Sequence, residues 1–586
     1  MKELEYPFDS ELILRKRRGL LRQLKAQDRP FLEKRVAVLN GATADDTAAV
    51  LELFLLNEGI RPTFYMSEYN RWWEDSVFPN AELDAFQPEI VILFTGTANI
   101  QRFPALNDSA EDVDALLEAE YERFSKAWDG LRGRFHCVII QNNFELPYTR
   151  ALGSADGTDI HGKVNYVNRL NQKFAEAAAA ADDLFINDIH YLSALYGLEK
   201  WSDPQYRYLY KMLCCPDAVP ELAYSLFRVI KSLCGKNKKM LVTDLDNTLW
   251  GGVIGESGLS GIVLGKETAE GERFTEYQQY LKDLSAQGVM LGIASKNERE
   301  DALLGLSHRD SLLHEEDFLD IKADWMPKDG NLAAIAKEMN ILPEALVFVD
   351  DNPVERELVR AQLPGTAVPE VSAEVPFHVT LDRAGYFEVT KLSADDLKRN
   401  EMYKANARRE EAQAAFADYD EYLRSLEMTA EIRPFDTESA ARITQLINKT
   451  NQFNLTTRRY TQAEVDALIG NPDHVTLYGR LTDKFGDNGI VSLIIGTVRG
   501  KVLEIDLWLM SCRVLKRGME YAMLDALIDA ARAAGCESLR GTYIPSAKNA
   551  VVKDLYREFG FAPDGDGWTL DLNADLPRAN RLIDVK

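Results

Sequence analysis

Lys239-Met240-Leu241-Val242-Thr243-Asp244-Leu245-Asp246-Asn247-Thr248-Leu249-Trp250-Gly251-Gly252 is the stretch from which the rest of this chain is read. Met240 to Thr243 is a short apolar run that stops at two acidic residues separated by one apolar residue. A strand buried on both faces of a parallel sheet reads this way when it carries carboxylates at its tip. In an open α/β sheet, ligands bind in the crevice outside the carboxyl ends of the strands. Two carboxylates so close repel, and a divalent cation holds both ionised. The stretch points to a magnesium-dependent phosphoryl site.

Three later segments supply what such a site needs. The strand Val289–Ala294 ends at Ser295-Lys296-Asn297, and Lys328 follows Trp325-Met326-Pro327 before a helix expected from about Asn331 to Met339. Ala345–Val349, another strand, ends at Asp350-Asp351. Asp244 suits the nucleophile, since a carboxylate can form an aspartyl-phosphate. Asp246, on the same side of the strand end, suits the general acid and base. Ser295 and Lys328, with Thr248 and Asn297, would hold the phosphate oxygens. Asp350 and Asp351 would complete a magnesium shell with Asp244 and the backbone carbonyl of Asp246.

These four segments, in this order, resemble the motifs of the haloacid dehalogenase (HAD) superfamily. Leu249-Trp250-Gly251-Gly252-Val253-Ile254-Gly255-Glu256 is similar to its FkbH-like, HAD-IIIC branch, whose full-length members have three parts. The resemblance implies a phosphatase acting on a small phosphorylated metabolite in a biosynthetic pathway of polyketide or surface-polysaccharide type. No long insertion follows the first or second motif, so the domain has no bulky cap. Polyketide members of the branch pass a glyceryl group from 1,3-bisphosphoglycerate through a cysteine to an acyl carrier protein. No cysteine lies between Cys234 and Cys512 here, so such a relay would need one of those two.

The 586-residue chain is too long for one core, and roughly three to four domains are expected. Its formal net charge of −25 argues against nucleic-acid or anionic-membrane partners. Six scattered cysteines without a C-x-x-C pair argue against a zinc site and give no sign of a disulfide framework. With no signal-peptide pattern at Met1 and no run of about 20 apolar residues, a cytoplasmic protein is expected.

Residues 1–235 alternate strand and helix after an amphipathic helix, which implies a parallel sheet of SGNH-hydrolase or flavodoxin type. Asn40-Gly41-Ala42-Thr43, Gly96-Thr97-Ala98-Asn99 and Asn187-Asp188-Ile189-His190 lie in the loops where SGNH hydrolases carry catalytic groups. No serine stands in the first loop and Asp188 and His190 are two apart, which reads as a degenerate hydrolase. Residues 236–385 form the HAD-type, Rossmann-like domain, and Gly251–Gly258 reads as a glycine-rich flap without helix. Residues 386–428 read as a helical connector.

Residues 429–586 resemble an α+β acyltransferase of the GNAT type. Arg513-Val514-Leu515-Lys516-Arg517-Gly518 parallels that family's phosphate loop, with Lys516 where a glycine is usual. Asn549 and Tyr556-Arg557-Glu558-Phe559-Gly560-Phe561 parallel its later motif. Arg513, Arg517, Gly518, Asn549 and Tyr556 are thereby candidate contacts to acetyl-CoA or another acyl-CoA. Besides phosphatase chemistry, the alternatives are glyceryl transfer to a carrier protein, N-acyl transfer, and a non-catalytic scaffold.

Overall fold

The computed structural model describes all residues except 393–396, 398–400, 403–404, 406–407, 410–411, 414–415, 417, 512–513 and 547, and the side chain of Lys449. The chain divides into two compact units, Met1–Cys234 with Thr461–Glu464, and Gly235–Tyr460 with Val465–Lys586.

The first unit is built on a parallel sheet of β1 (Leu32–Asn40), β2 (Ile60–Met66), β3 (Ile90–Phe94), β4 (Val138–Asn142) and β5 (Leu184–Asn187), in the order β2-β1-β3-β4-β5. Because strand side chains alternate, β1 feeds two cores. Val36 and Val38 pack with the helices Ser10–Lys25, Asp45–Asn57 and Val219–Leu233. Ala37 and Leu39 pack with Ala110–Arg134 and Lys163–Ala180. Sequence reading misses β2, whose third residue is Pro62. Proline breaks a ladder only where its N–H is needed, and β2 is an edge strand.

Within the second unit, β6 (Met240–Thr243), β7 (Met290–Ser295), β8 (Asp320–Ala323) and β9 (Leu346–Val349) form a parallel sheet ordered β8-β7-β6-β9. The same alternation recurs. Leu241, Leu291, Ile293, Val347 and Val349 enter one core, and Met240, Val242, Ala294 and Phe348 the other. The order places β6 between β7 and β9, so three motif-bearing strand ends are neighbours. The Lys328–Glu338 helix starts three residues earlier than expected, with Lys328 as its first residue. The flap is not free of helix: Gly251 bridges Val263, and Ile254–Ser257 forms one helical turn between them.

A third, mixed sheet comprises β10 (Thr429–Arg433), β11 (Phe453–Asn454), β12 (His474–Asp483), β13 (Gly486–Arg499), β14 (Val502–Met510), β15 (Ser538–Gly541), β16 (Ala562–Asp564), β17 (Gly567–Asp571) and β18 (Asp584–Val585). The helix Met519–Ala533 buries Met519, Met523 and Leu527 on one face, and Ile443 and Ile447 of Ala440–Lys449 pack on the other. The helix expected over Ala547–Phe559 is broken among its described residues into short turns at Ala550–Val552 and Leu555–Glu558; Ala547 lies outside them. Much of the expected connector also lies outside the described residues, and Tyr419–Ser425 is helical. Gly486–Gly489 belongs to β13 rather than to a turn, which falls at Lys484-Phe485. No helix among the described residues is long and apolar enough to cross a membrane.

Candidate active site

Asp244 is the residue after β6, and its N–H donates to Val349 O (2.9 Å), which fixes its backbone against β9. Its carboxylate is almost fully buried. Lys328, also buried, places its Nζ 2.9 Å from Asp244 Oδ2 and 2.5 Å from Asp350 Oδ2. Starting the helix at Lys328 is what delivers the ammonium here. Asp351 completes the cluster: Asp244, Asp350 and Asp351 each present an oxygen within 4.8 Å of the others.

Two buried carboxylates on one buried ammonium, with the exposed Asp351 beside them, leave negative charge in excess. Burial pushes the Asp244 carboxyl above the ordinary range, as does Asp350, while Lys328 pulls it down. Burial likewise raises Asp350, and burial followed by the Asp244 charge raises Asp351. Burial pulls the Lys328 ammonium down, but Asp244 and Asp350 outweigh it and its pKa lies above the lysine value. A magnesium ion fits this donor set, for hard oxygens in excess of their counter-charge are what it takes. Asp244 Oδ1 supports the fit: it is buried and has no hydrogen-bond partner.

The remaining motif residues support this centre. Ser295, at the end of β7, helps hold the Asp244 carboxyl down against its burial and accepts from Asn297 Nδ2 (3.2 Å). Thr248 Oγ1 accepts from Asp351 N–H (3.1 Å) and faces Asp351 Oδ1 (3.4 Å), so it steadies Asp351. The Asp246 side chain lies outside the three-carboxylate cluster and is held by Trp250, Ile254 and Asn297. Sequence reading misses Arg356, whose Nη1 donates to the carbonyls of Asp350 and Asp351 at 2.8 Å each. It is a buried arginine in the helix that follows the Asp-Asp pair, and only its place after that pair could have drawn attention to it.

The other candidate residues do not converge in this way. In the first unit, Asp188 Oδ1 accepts from Asn143 Nδ2 (2.7 Å) and caps its own helix, whereas His190 Nδ1 faces Asn171 Nδ2 (2.9 Å). Thr43 Oγ1 donates to Tyr210 O (2.7 Å), and Asn99 Nδ2 to Gly41 O (2.9 Å). No nucleophile–histidine–aspartate chain forms among these residues. In the region of the third sheet, Arg517 is buried beside Asp483 (3.3 Å) and Asn488. Gly518 caps the helix Met519–Ala533 in a left-handed conformation (φ +82°), a place glycine suits. Asn549 Nδ2 donates to Asn454 O (2.8 Å) and Ile544 O (2.9 Å). Tyr556 is buried against Gly541. Arg513 and Cys512 lie outside the described residues.

Residues 35–231 match the family model of the FkbH N-terminal domain. No curated protein matches the chain. Among solved structures, the N-terminal part of the protein BF1531 from Bacteroides fragilis, containing a phosphatase domain and complexed with Mg, is 24% identical. That match covers 64% of this chain and 98% of the other with a TM-score of 0.58, a likeness of fold. A GNAT-family acetyltransferase from Streptococcus pneumoniae is 19% identical over 23% of this chain and 86% of its own, with a TM-score of 0.19. The ribosomal-protein-S18-alanine N-acetyltransferase from Escherichia coli is 16% identical over 25% and 94%, with a TM-score of 0.20. Scores that low carry no weight for this chain.

Proposed function

We propose that this FkbH-like chain is a magnesium-dependent phosphatase of the HAD type that acts on a small phosphorylated metabolite through an aspartyl-phosphate on Asp244. The observation that carries the reading is the buried, unpartnered Oδ1 of Asp244 beside Lys328, Asp350 and Asp351. Asp244 attacks phosphorus, and the bond to the leaving oxygen breaks as Asp246 gives that oxygen a proton. Water then attacks the aspartyl-phosphate, Asp246 takes a proton back, and phosphate and the Asp244 carboxylate are restored. Lys328 and Ser295 hold the phosphoryl oxygens where charge accumulates. Magnesium, held by Asp244, Asp351 and the Asp246 carbonyl, would neutralise the phosphate against the acidic cluster.

Hydrolysis is preferred over glyceryl transfer to an acyl carrier protein because the chain from residue 235 to 511 contains no cysteine to carry a thioester. The test is phosphate release from a panel of phosphorylated three-carbon metabolites in magnesium, with and without carrier proteins. Acid-quenched intact mass should show one phosphoryl group on the enzyme and none on Asp244→Asn. Undiminished release by that variant would sink the reading.

A further inference from the structure

We propose that Trp250 is a positioning residue that aims the Asp246 carboxyl group; this rests on the phosphatase reading above. The two oxygens of Asp246 are held unequally. Oδ1 accepts from the Trp250 indole N–H (2.9 Å) and from the Ile254 N–H (3.1 Å). Among the described residues Oδ2 accepts from Asn297 Nδ2 alone (2.9 Å), and the same amide donates to Ser295 Oγ. A carboxylate oxygen offers about two acceptor positions. Oδ1 is therefore saturated, while Oδ2 keeps one acceptor position free. Oδ2 is the oxygen that exchanges the proton with the leaving group.

Trp250 is suited to this because the fold leaves its ring no freedom. The side chain is fully buried, and it occupies the room that the missing side chain of Gly305 leaves. A Cβ at position 305 would stand 2.6 Å from Trp250 Cη2 and 2.7 Å from Cζ2. The indole thus transmits its position from the Arg299–Leu306 helix to the Asp246 carboxyl. Replacing Trp250 by phenylalanine keeps an aromatic ring and removes the donor, so the carboxyl gains a torsional freedom it lacks in the native chain. Gly305→Ala perturbs the same ring from behind and also presses on Ile254 Cδ1 (3.1 Å), in the residue that gives Asp246 Oδ1 its other hydrogen bond.

The experiment compares two substrates on the full chain in magnesium: an alkyl phosphate, whose leaving oxygen needs a proton, and an aryl phosphate such as p-nitrophenyl phosphate, whose leaving group departs without one. Trp250→Phe is expected to lower kcat on the alkyl ester roughly tenfold or more, with KM within about twofold. On the aryl ester the loss is expected to stay within about twofold to threefold. Gly305→Ala should show the same selectivity in weaker form, and Asp246→Asn the same in stronger form. Equal loss on both substrates in the folded variants would mean a structural role and overturn the proposal, as would an undiminished alkyl rate. A wild-type chain that releases phosphate from neither ester would instead overturn the phosphatase reading, and this inference with it.

Discussion

The Asp244 centre and the Arg517 and Asn549 side chains are both named by motif resemblance, yet their polar atoms are used in opposite ways. Around Asp244, three carboxylates cluster, two of them on one ammonium, and a buried oxygen is left without a partner. In the region of the third sheet the Arg517 and Asn549 side chains are satisfied by the protein's own groups, although Tyr556 Oη is buried without a partner. Asp483 is paired with Arg409 in a two-pronged contact (2.7 and 2.9 Å) and with Arg517. Burial, then the Arg409 charge, pulls the Arg517 guanidinium down to about 10. Asn549 uses both amide hydrogens on Asn454 and Ile544, and its oxygen accepts from Ser546 N–H (2.7 Å) and Tyr543 O–H (3.2 Å). A site with open valence invites a ligand, whereas a closed network holds a fold together.

Substitutions should separate the two. Asp244→Asn is expected to lower phosphate release more than about a thousandfold, read by a phosphate assay; a smaller loss would erase the contrast. Lys328→Met should cost about a hundredfold in kcat, because it removes an ammonium from the phosphoryl site and leaves Asp244 and Asp350 unpaired. Next comes Asp483→Asn, which leaves Arg409 and Arg517 facing each other. It should lower the unfolding midpoint by about 5 °C or more while phosphate release per folded molecule stays within about twofold. Asn549→Ala should destabilise by about 1–3 kcal/mol through the orphaned carbonyls of Asn454 and Ile544, again with phosphatase turnover unchanged. Calorimetric titration with acetyl-CoA sharpens this last case. Micromolar binding that vanishes in Asn549→Ala would make the third-sheet region a site as well and break the comparison.

Much of this was legible beforehand. The tips of β6, β7 and β9 and the lysine before the following helix stood out because buried parallel strands read as uninterrupted apolar runs. Pro62 hid β2, since a proline in a run argues against a strand unless the strand lies at an edge. Phe453-Asn454 gave no signal either: two residues show no periodicity, and their pairing with Leu509 and Met510 is made entirely by distant chain. Trp250 was visible as part of a motif but not as a donor to Asp246, and Arg356 looked like any charged residue in a helix.

The order of residue types along the chain was enough to say that an acidic strand tip, a hydroxyl, a lysine and an acidic pair belong to one kind of chemistry. Local sequence controls backbone conformation and which way a side chain faces, and that much can be read one segment at a time. Whether those groups meet with a valence to spare depends on atoms supplied by segments remote in the chain. Lys328 reaching both Asp244 and Asp350, and Asn549 closing on Asn454, are facts of packing: each is decided by which strands become neighbours and how much water the folded interior excludes.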